Sequence, residues 1–261
     1  MENLAINIKN ASVFKDDDEI LKNISFSVKM GSKCFILGAN GAGKTTLVKL
    51  ILGYIWAKWG ASVEVLGQTF GKCDINKLRE DIAWVSPYII QNAKGNNGVD
   101  MVLSGKTGTL GFWRQASDNE LDEARNVFEK YDAIHLANKD FDKMSSGEQV
   151  KILILRALYN KPKLMILDEP TAFLDISQRE FLLKTVDEIA KSNPDLTILF
   201  ISQNISDILP VFNYGFILKN GEMLYEGKRE EIIREDVLKN TFGVDVEIIK
   251  TPNDRVYLIA K

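Results

Sequence analysis

One stretch of nine residues decides the fold: Gly38-Ala39-Asn40-Gly41-Ala42-Gly43-Lys44-Thr45-Thr46. It fits the phosphate-binding pattern G-x-x-x-x-G-K-[ST] at every specified position. The segment before it, Cys34 to Leu37, is short and apolar like a buried parallel strand, and Thr46 to Leu52 favours a helix that stops at Gly53. The stretch therefore has the order of strand, loop and helix that the pattern requires.

The residue types in this loop suit the binding of phosphate. Gly38, Gly41 and Gly43 let the backbone bend so that several N–H groups converge on one anion at the start of a helix. Lys44 adds a positive charge for the β- and γ-phosphates, and the Thr45 hydroxyl is a ligand that Mg²⁺ accepts. A glycine-rich turn with a chance lysine is the alternative. The predicted nucleotide-binding residues of the loop are Gly38, Asn40, Gly41, Ala42, Gly43, Lys44, Thr45 and Thr46.

The chain has 261 residues, of which 45% are hydrophobic and 26% charged, with a formal net charge of -3 at pH 7. This composition predicts a folded protein with a large core, and the negative charge argues against nucleic acid as a partner. Cys34 and Cys73 have neither metal-ligand spacing nor a disulfide framework. Because we find no signal segment and no apolar run of about 18 residues, we expect the chain not to cross a membrane by itself.

The pattern of apolar residues predicts a mixed α/β fold. Alternation predicts antiparallel strands at Leu4–Val13, Ile24–Val28 and Ala61–Leu66, with a polar turn at Asp16–Glu19 and a loop at Gly67–Asp74. The remaining predicted elements are buried strands at Ile82–Val85, Lys163–Asp168 and Thr197–Ile201, helices at Asp118–Tyr131 and Gln178–Lys191, and hairpins around Asn220-Gly221 and between Val244–Ile249 and Val256–Ile259. We expect a helical subdomain at about 88 to 160, followed by a parallel crossover.

Two acidic residues follow the predicted strand that ends near Leu167. Asp168 is placed to hold a metal ion, and Glu169 is placed to orient or polarise a water molecule against the γ-phosphate. A strand followed by Asp-Glu-Pro can also be a helix N-cap and turn. The phosphate loop in the same chain favours the catalytic interpretation.

A second anion site is predicted at Ser145-Ser146-Gly147-Glu148, ahead of an apolar helix. Ser145 is a typical N-cap, and the small residues Ser146 and Gly147 leave N–H groups at the helix start open to a phosphate. A plain capped helix start is the alternative interpretation.

Together these motifs resemble the ATP-binding subunits of ABC transporters, and the resemblance covers nearly the whole chain. The segment Ser145 to Glu148 lies where that family has L-S-G-G-Q, with Ser146 for the first glycine and Glu148 for the glutamine. Asp168-Glu169-Pro170-Thr171 matches the Walker B segment and its catalytic glutamate.

Two further positions gain a role from the resemblance. Phe173-Leu174-Asp175 matches the D-loop, which makes Asp175 a candidate contact of the nucleotide site. Phe14 lies where the family has an aromatic residue that stacks on adenine, and a core phenylalanine at a strand end is the alternative.

The resemblance implies a P-loop NTPase fold, with a RecA-like core, an antiparallel β subdomain and an inserted helical subdomain. Residues 1–245 would form the ATPase domain, with its core at 1–87 and 161–245 and the helical part at about 88–160, and residues 246–261 would form a β-hairpin tail. The ligands implied are ATP and Mg²⁺. The partner implied is a second copy or a homologous ATPase subunit, whose segment at 145–148 closes over ATP held by the phosphate loop.

Four segments are similar to importer ATPases for metal chelates: Val99–Lys106, Gly111–Arg114, Leu174–Ile176 and Thr241–Val246. This implies ATP-driven import of a metal or of iron-siderophore, haem, cobalamin or molybdate, through separate permease subunits supplied by a solute-binding protein. The chain would then be cytoplasmic, on the inner face of the cell membrane. The alternatives are a soluble ABC ATPase of the iron-sulfur assembly type and a regulatory subunit impaired in hydrolysis.

Two positions depart from the family pattern. Gln203 replaces the switch histidine that follows the strand after Walker B. Glutamine keeps an amide donor for the γ-phosphate but cannot become cationic, so we expect slow hydrolysis rather than none. Pro87 lies where the family has a glutamine that reports on Mg²⁺ and on the permease, which leaves Gln91 as the candidate for that role.

Overall fold

The computed structural model describes residues 3–87, 96–107 and 115–261. The strands in these ranges are β1 (Leu4–Lys15), β2 (Asp18–Lys29), β3 (Lys33–Leu37), β4 (Ser62–Val65), β5 (Gln68–Thr69), β6 (Ile82–Val85), β7 (Leu164–Asp168), β8 (Thr197–Ser202), β9 (Tyr214–Lys219), β10 (Glu222–Lys228), β11 (Val246–Lys250) and β12 (Val256–Ala260). The α-helices are α1 (Lys44–Ile51), α2 (Ile75–Glu80), α3 (Gly98–Leu103), α4 (Asp118–Lys130), α5 (Ser146–Tyr159), α6 (Ile176–Ser192), α7 (Arg229–Ile232) and α8 (Glu235–Phe242).

The central sheet has the strand order β10-β9-β3-β8-β7-β6. Its strands run parallel except β10, which pairs antiparallel with β9. Strands β3, β7 and β8 are apolar and buried on both faces, as expected of parallel strands covered by helices. The predicted parallel crossover after residue 160 is confirmed by β7, α6 and β8, and the ends of β3, β7 and β8 meet at one edge.

A second sheet, β2-β1-β4-β5, is antiparallel and covers α1. The predicted turn at Asp16–Glu19 is too long, because Asp18 and Glu19 already pair with β1. The predicted loop at Gly67–Asp74 contains β5, whose Gln68 pairs with Val65. Polar residues can continue a strand wherever that strand faces solvent. A prediction from polarity alone therefore assigned strand residues to the turn and to the loop.

Helix α1 is packed between the two sheets. Its residues Leu47, Val48, Leu50 and Ile51 are buried, and they share one core with β1 and with the Ile36 face of the central sheet. The other face of the sheet, which includes Phe35, packs against the helices downstream. The phosphate loop therefore lies between a strand and a helix that are both fixed by their packing.

Helices α3 to α6 cover the far face of the central sheet. Helix α4 begins with a capping box in which Ser117 and Glu120 satisfy each other's backbone N–H groups, and it buries Ala124 and Phe128. Helix α5 is apolar on most sides and almost fully buried. Across the described ranges, no helix combines the length and apolar character needed to span a membrane.

The tail forms the expected hairpin from β11 and β12, which pair antiparallel. Val246 and Val256 are buried and join the main core, whereas most of the other hairpin side chains are exposed or partly exposed. The hairpin also packs against a single 3₁₀ turn at Ile205–Asp207, which follows β8.

Candidate nucleotide site

A cleft of about 760 Å³ opens where the ends of β3 and β7 face the end of β1. Crevices at the carboxyl ends of parallel strands are the usual ligand sites of such sheets. The cleft brings together the predicted residues Phe14, Asn40, Gly41, Gly43, Lys44, Thr45, Thr46, Asp168 and Glu169.

The loop conformation requires its glycines. Gly41 has φ of 78° and Gly43 has φ of 101°, both in the left-handed region that side chains disfavour. Gly43 is the N-cap of α1 and provides no side-chain cap, so the first N–H groups of this helix are not satisfied by a capping side chain. These donors face the cleft and can bind an anion there.

Lys44 is 4% exposed, and its ammonium is held inside the loop. Nζ donates to the carbonyl oxygens of Gly38 and Ala39, each at 2.8 Å, and lies 3.0 Å from Oε1 of Glu169. The carboxylate and the ammonium therefore neutralise each other across the floor of the cleft, which joins the phosphate loop directly to the end of β7.

Asp168 is the last residue of β7 and is 2% exposed. The pKa of Asp168 is raised from 3.8 to about 6, mainly by burial and next by the charge of Glu169, while Lys44 and the nearby Trp84 indole act in the opposite direction. Within the described residues, neither Asp168 Oδ1 nor Trp84 Nε1 has a partner within hydrogen-bond geometry. A buried carboxylate oxygen without a donor is costly and is suited to accept a cation.

The described residues fit a magnesium ion that is held jointly with phosphate. Asp168 Oδ1 is a hard oxygen ligand without a partner, and the exposed Thr45 hydroxyl lines the same cleft. Within residues 3–87, 96–107 and 115–261, no three His, Cys, Asp or Glu side chains cluster to hold a metal. Mg²⁺ commonly takes one or two protein ligands and completes its shell with phosphate and water.

Phe14 lies at the end of β1, is 46% exposed and lines the cleft. Lys58 lies beside it, with Nζ 5.7 Å from the ring centroid, and its backbone N–H donates to the Ser12 carbonyl. Of the two interpretations of Phe14, the structure favours an accessible aromatic face over a core side chain. Lys58 was not found from the sequence, because its approach to Phe14 depends on tertiary structure.

Gln203 and Glu169 line a second, smaller cavity of about 280 Å³. Gln203 follows β8 directly and is partly exposed, and the backbone N–H of Glu169 donates to the Ile201 carbonyl of that strand. Glu169 has φ of 49°, an uncommon conformation that turns the chain sharply after β7. The pairing of the two strands thus keeps Gln203 near Glu169.

A buried acidic residue, Asp207, organises the segment around Gln203. It is 1% exposed and accepts hydrogen bonds from Ser202 Oγ at 2.7 Å, Thr171 Oγ1 at 2.8 Å and Arg179 Nε at 2.6 Å. Sequence analysis missed this network, because its members come from three separate segments.

The predicted second anion site lies at the start of α5, and its residues are not among those that line the cleft. Ser145 and Ser146 are exposed. Ser145 Oγ accepts from the Glu148 N–H at 3.3 Å, and Glu148 Oε2 accepts from the Ser145 N–H at 2.7 Å. Lys139 Nζ binds the Glu148 carboxylate at 2.8 Å, and this contact, helped by the Ser145 hydrogen bonds and opposed by burial, holds the pKa of Glu148 below its ordinary value.

The other predicted positions have simple local settings. Gly147 is buried, and a Cβ there would lie 3.0 Å from the Cβ of Gln178 on α6. Asp175 is the exposed N-cap of α6 and accepts from the Gln178 N–H at 2.8 Å. Gln91 and the Gly111–Arg114 segment lie outside the described residues, whereas Pro87 lines the cleft.

Comparisons with known proteins agree with these motifs. A family model described as ABC transporter matches residues 21–172. The chain is 35% identical over 244 residues to the uncharacterized ABC transporter ATP-binding protein YmeB of Lactococcus lactis, covering 93% of this chain and 94% of the relative. It is 28% identical over 250 residues to a Chlamydia trachomatis ATP-binding protein named for a metal transport system, covering 94% and 92%.

Solved structures show the same fold. An inward-facing ABC transporter assigned to the metal-chelate type matches with a TM-score of 0.79 at 22% identity, covering 99% of this chain and 98% of that one. The cbiO1 protein of Clostridium perfringens, part of the cbiONQ transporter complex, matches at 0.76 with 24% identity and coverage of 92% and 94%. The dimeric cassette MJ0796 bound to ADP and Pi matches at 0.71 with 21% identity and coverage of 85% and 98%.

Proposed function

The chain belongs to the ABC transporter family of ATP-binding proteins, and from this premise we propose that it hydrolyses ATP to power import of a metal or metal chelate. One observation carries the proposal of hydrolysis. Lys44 of the phosphate loop and Glu169 of β7 meet at 3.0 Å in a cleft that Asp168, Thr45 and Phe14 also line. Groups that bind phosphate, hold a metal and orient water thus face one space.

Binding would begin with an exchange of partners at Lys44. The ammonium leaves the carbonyls of Gly38 and Ala39 for the β- and γ-phosphate oxygens, and the N–H groups of the loop donate to the same phosphates. Phe14 offers a ring face for adenine. The remaining proposed loop contacts come from the residues at 40 to 43 and from Thr46.

Thr45 and Asp168 are the residues that would hold Mg²⁺, which when bound neutralises charge on the β- and γ-phosphates. Glu169, released by Lys44, accepts a hydrogen bond from the attacking water and turns it toward the γ-phosphate. The Gln203 amide donates to that phosphate. A single preorganised donor is worth about 10² to 10³ in rate, and a neutral amide would supply part of this, so we propose slow turnover.

The site would be completed by a second subunit, either another copy of this chain or a homologous ATPase. Ser145, Ser146 and Gly147 of one subunit would close over ATP held by the phosphate loop of the other, with Glu148 and Asp175 near the contact. Exposure of Ser145 and Ser146 and their absence from the cleft lining support this arrangement. Hydrolysis would remove the γ-phosphate contacts that hold the pair together.

The transport role rests on family membership and on relatives named for metal transport. We propose a peripheral protein on the cytoplasmic face of the membrane, attached to separate permease subunits and served indirectly by a solute-binding protein. In this proposal residues 1–87 and 161–245 form the ATPase core, about 88–160 form the helical subdomain that docks the permease together with Gln91, and 246–261 form the tail.

The experiment uses Glu169→Gln, which keeps an uncharged partner for Lys44 and removes the carboxylate that orients water. We expect a stable dimer with Mg-ATP, seen by light scattering after gel filtration, and little phosphate release. Glu169→Gln combined with Lys44→Ala is the control and should remain monomeric. A monomer that retains bound ATP would contradict the proposed closure, and uptake assays with metal chelates in cells that carry the permease test the cargo.

A hydrolysis-impaired regulatory subunit is the second candidate, and Gln203 is the observation that favours it. Turnover comparable to that of a histidine-bearing relative, unchanged by Gln203→Ala, would remove this candidate and would also contradict our proposal of slow hydrolysis.

A further inference from the structure

The C-terminal hairpin contacts the segment that carries Gln203. Arg255 precedes β12, and its guanidinium reaches the turn Ile205–Asp207. Nη2 donates to the Ser206 carbonyl at 2.8 Å, and the two terminal nitrogens bind both carboxylate oxygens of Glu180 on α6 at 2.5 and 3.0 Å. One tail side chain thus joins α6 to a turn that begins two residues after Gln203.

This contact has a defined geometry. Arg255 is only 15% exposed, and its fork-to-fork pairing with Glu180 restricts the orientation of the guanidinium plane. The hairpin is also anchored at the residue before Arg255, since Arg229 donates to the carboxylate and the carbonyl of Asp254, each at 2.7 Å. The position of Arg255 is therefore set by the packing of the hairpin.

Residues 202–207, which we call the Gln203 segment, are held at both ends by hydrogen bonds. Ser202 and Asp207 are joined by a hydrogen bond of 2.7 Å, and the Asn204 N–H donates to Ser202 Oγ at 2.9 Å. Arg179 contacts both Asp207 and the Ser206 hydroxyl from α6. Arg255 adds the support on the outer side of the turn, where the segment faces the tail.

Precise support matters more for glutamine than for histidine at this position. A cationic imidazole is attracted to phosphate over several ångströms, whereas a neutral amide stabilises phosphate only at hydrogen-bond distance and angle. A small rotation of the segment would therefore remove the contribution of Gln203 while ATP binding on the phosphate loop stays intact.

We propose that Arg255 is a positioning residue for Gln203: by fixing the turn Ile205–Asp207 it orients the Gln203 amide toward the γ-phosphate. This inference rests on the proposed function, in which Gln203 donates to that phosphate. The tail hairpin would then increase the rate of hydrolysis by positioning the segment that follows β8.

The test compares Arg255→Met with Lys261→Met in the full chain. Arg255→Met keeps an apolar stem and removes the donors, whereas Lys261→Met removes a tail ion pair with Glu235 that does not touch Ser206. We expect Arg255→Met to lower kcat by about threefold to tenfold, with the Kd for ATP changed by less than about twofold. Lys261→Met should leave both constants unchanged, and Arg255→Lys should recover part of kcat.

A double-mutant cycle with Gln203→Ala identifies the route of the effect. In the Gln203→Ala background, Arg255→Met should change kcat by less than about 1.5-fold, because the residue it positions is absent. Hydrogen exchange gives a second readout: amides of residues 203–207 should exchange faster in Arg255→Met, and those of β3 should not.

Two outcomes would overturn the inference about Arg255. An equal loss of kcat in both backgrounds would mean that Arg255 acts without Gln203, and unchanged kcat with a lower melting temperature would mean a purely structural role. An unchanged kcat in Gln203→Ala alone would instead refute the proposed role of Gln203, which separates that failure from a failure of Arg255.

Discussion

The sequence predicts phosphate binding at two helix starts, and the structure satisfies the first N–H groups of these two helices differently. Helix α1 follows Gly43, which has no side chain to cap its first N–H groups. Helix α5 follows Ser145, which forms a reciprocal capping box with Glu148. The first start is left open inside a cleft, whereas the second is satisfied by its own residues and lies exposed.

The difference extends to charge. Among the described residues beside α1, Asp168 Oδ1 is buried without a hydrogen-bond partner, and the Lys44 ammonium contacts two backbone carbonyls and Glu169. At α5, Lys139 neutralises Glu148. A site that binds a ligand by itself has polar groups that stay unsatisfied until the ligand is present. A surface that only closes over a ligand bound elsewhere can have its polar groups satisfied by its own residues.

The largest expected effect is at the open start. Lys44→Ala should weaken ATP binding by the single chain by about 100-fold, because the charge that contacts two phosphates is lost. Titration calorimetry measures this, with Lys77→Ala on α2 as the control. An affinity within a few fold of the unsubstituted chain would contradict the assignment of α1 as the holding site.

Asp168→Asn should stabilise the nucleotide-free chain by about 2 kcal/mol near pH 7, since it removes a buried charge whose Oδ1 has no hydrogen-bond donor among the described residues. The pKa of Asp168 is raised in the folded state, from 3.8 to about 6, so that state binds more protons and stability falls as pH rises across this window. Urea denaturation at pH 4 and pH 7 should show the gain only at the higher pH.

The same substitution should abolish hydrolysis that depends on Mg²⁺, and Asp81→Asn, which removes a partly exposed carboxylate paired with Lys163, provides a control for charge. A variant that is less stable at pH 7 would show that the contacts of the carboxylate with Lys44 and the Trp84 indole outweigh the cost of its burial.

Ser145→Ala tests the self-satisfied start. It should leave ATP affinity of the single chain unchanged and lower the ATPase rate by about tenfold, because the surface proposed to close over ATP loses a donor. Ser117→Ala is a matched control, since Ser117 caps α4 in the same box geometry. Both variants should lose about 1 kcal/mol of stability, but only Ser145→Ala should lose activity.

The smallest expected effect comes from Glu148→Gln. The amide oxygen keeps the hydrogen bond from the Ser145 N–H, and the loss of negative charge frees the Lys139 ammonium for the phosphate that the proposed dimer would bring to this surface. In the Glu169→Gln background, Mg-ATP dimers should tighten by about twofold to threefold. Glu120→Gln in α4 should have no such effect, and weaker dimers would mean that the Glu148 carboxylate itself contributes a contact.

The sequence predicted those parts of the fold that depend on local pattern. The phosphate loop, the apolar strands around it and the Asn220-Gly221 hairpin are confirmed, because glycine content, alternation and turn residues act within a few positions. Helices α2 and α8 were missed, although Asp74 caps the first and Gly243 ends the second in the left-handed region. Both are short, with six and eight residues, so the window of about 11 to 18 residues in which helical periodicity is recognised extends beyond each helix.

The contacts that define the site were less accessible to sequence reasoning. The roles of Lys44 and Glu169 came from motifs, but their 3.0 Å ion pair depends on the placement of β3 and β7 on either side of β8. The burial of Asp168 beside Trp84 and the network around Asp207 likewise arise from pairing between distant segments. Parallel sheets create such neighbours without any local signal.

The packing of α1 between two sheets has a mechanical consequence. A helix packed on both sides cannot tilt much when its first turn binds an anion. The phosphate loop is therefore expected to move little when it binds its ligand. A conformational change driven by the nucleotide would then be a rigid-body displacement of other packed units relative to the phosphate loop and α1. Helix α1 would then serve as the fixed reference point about which the other parts of the protein rotate.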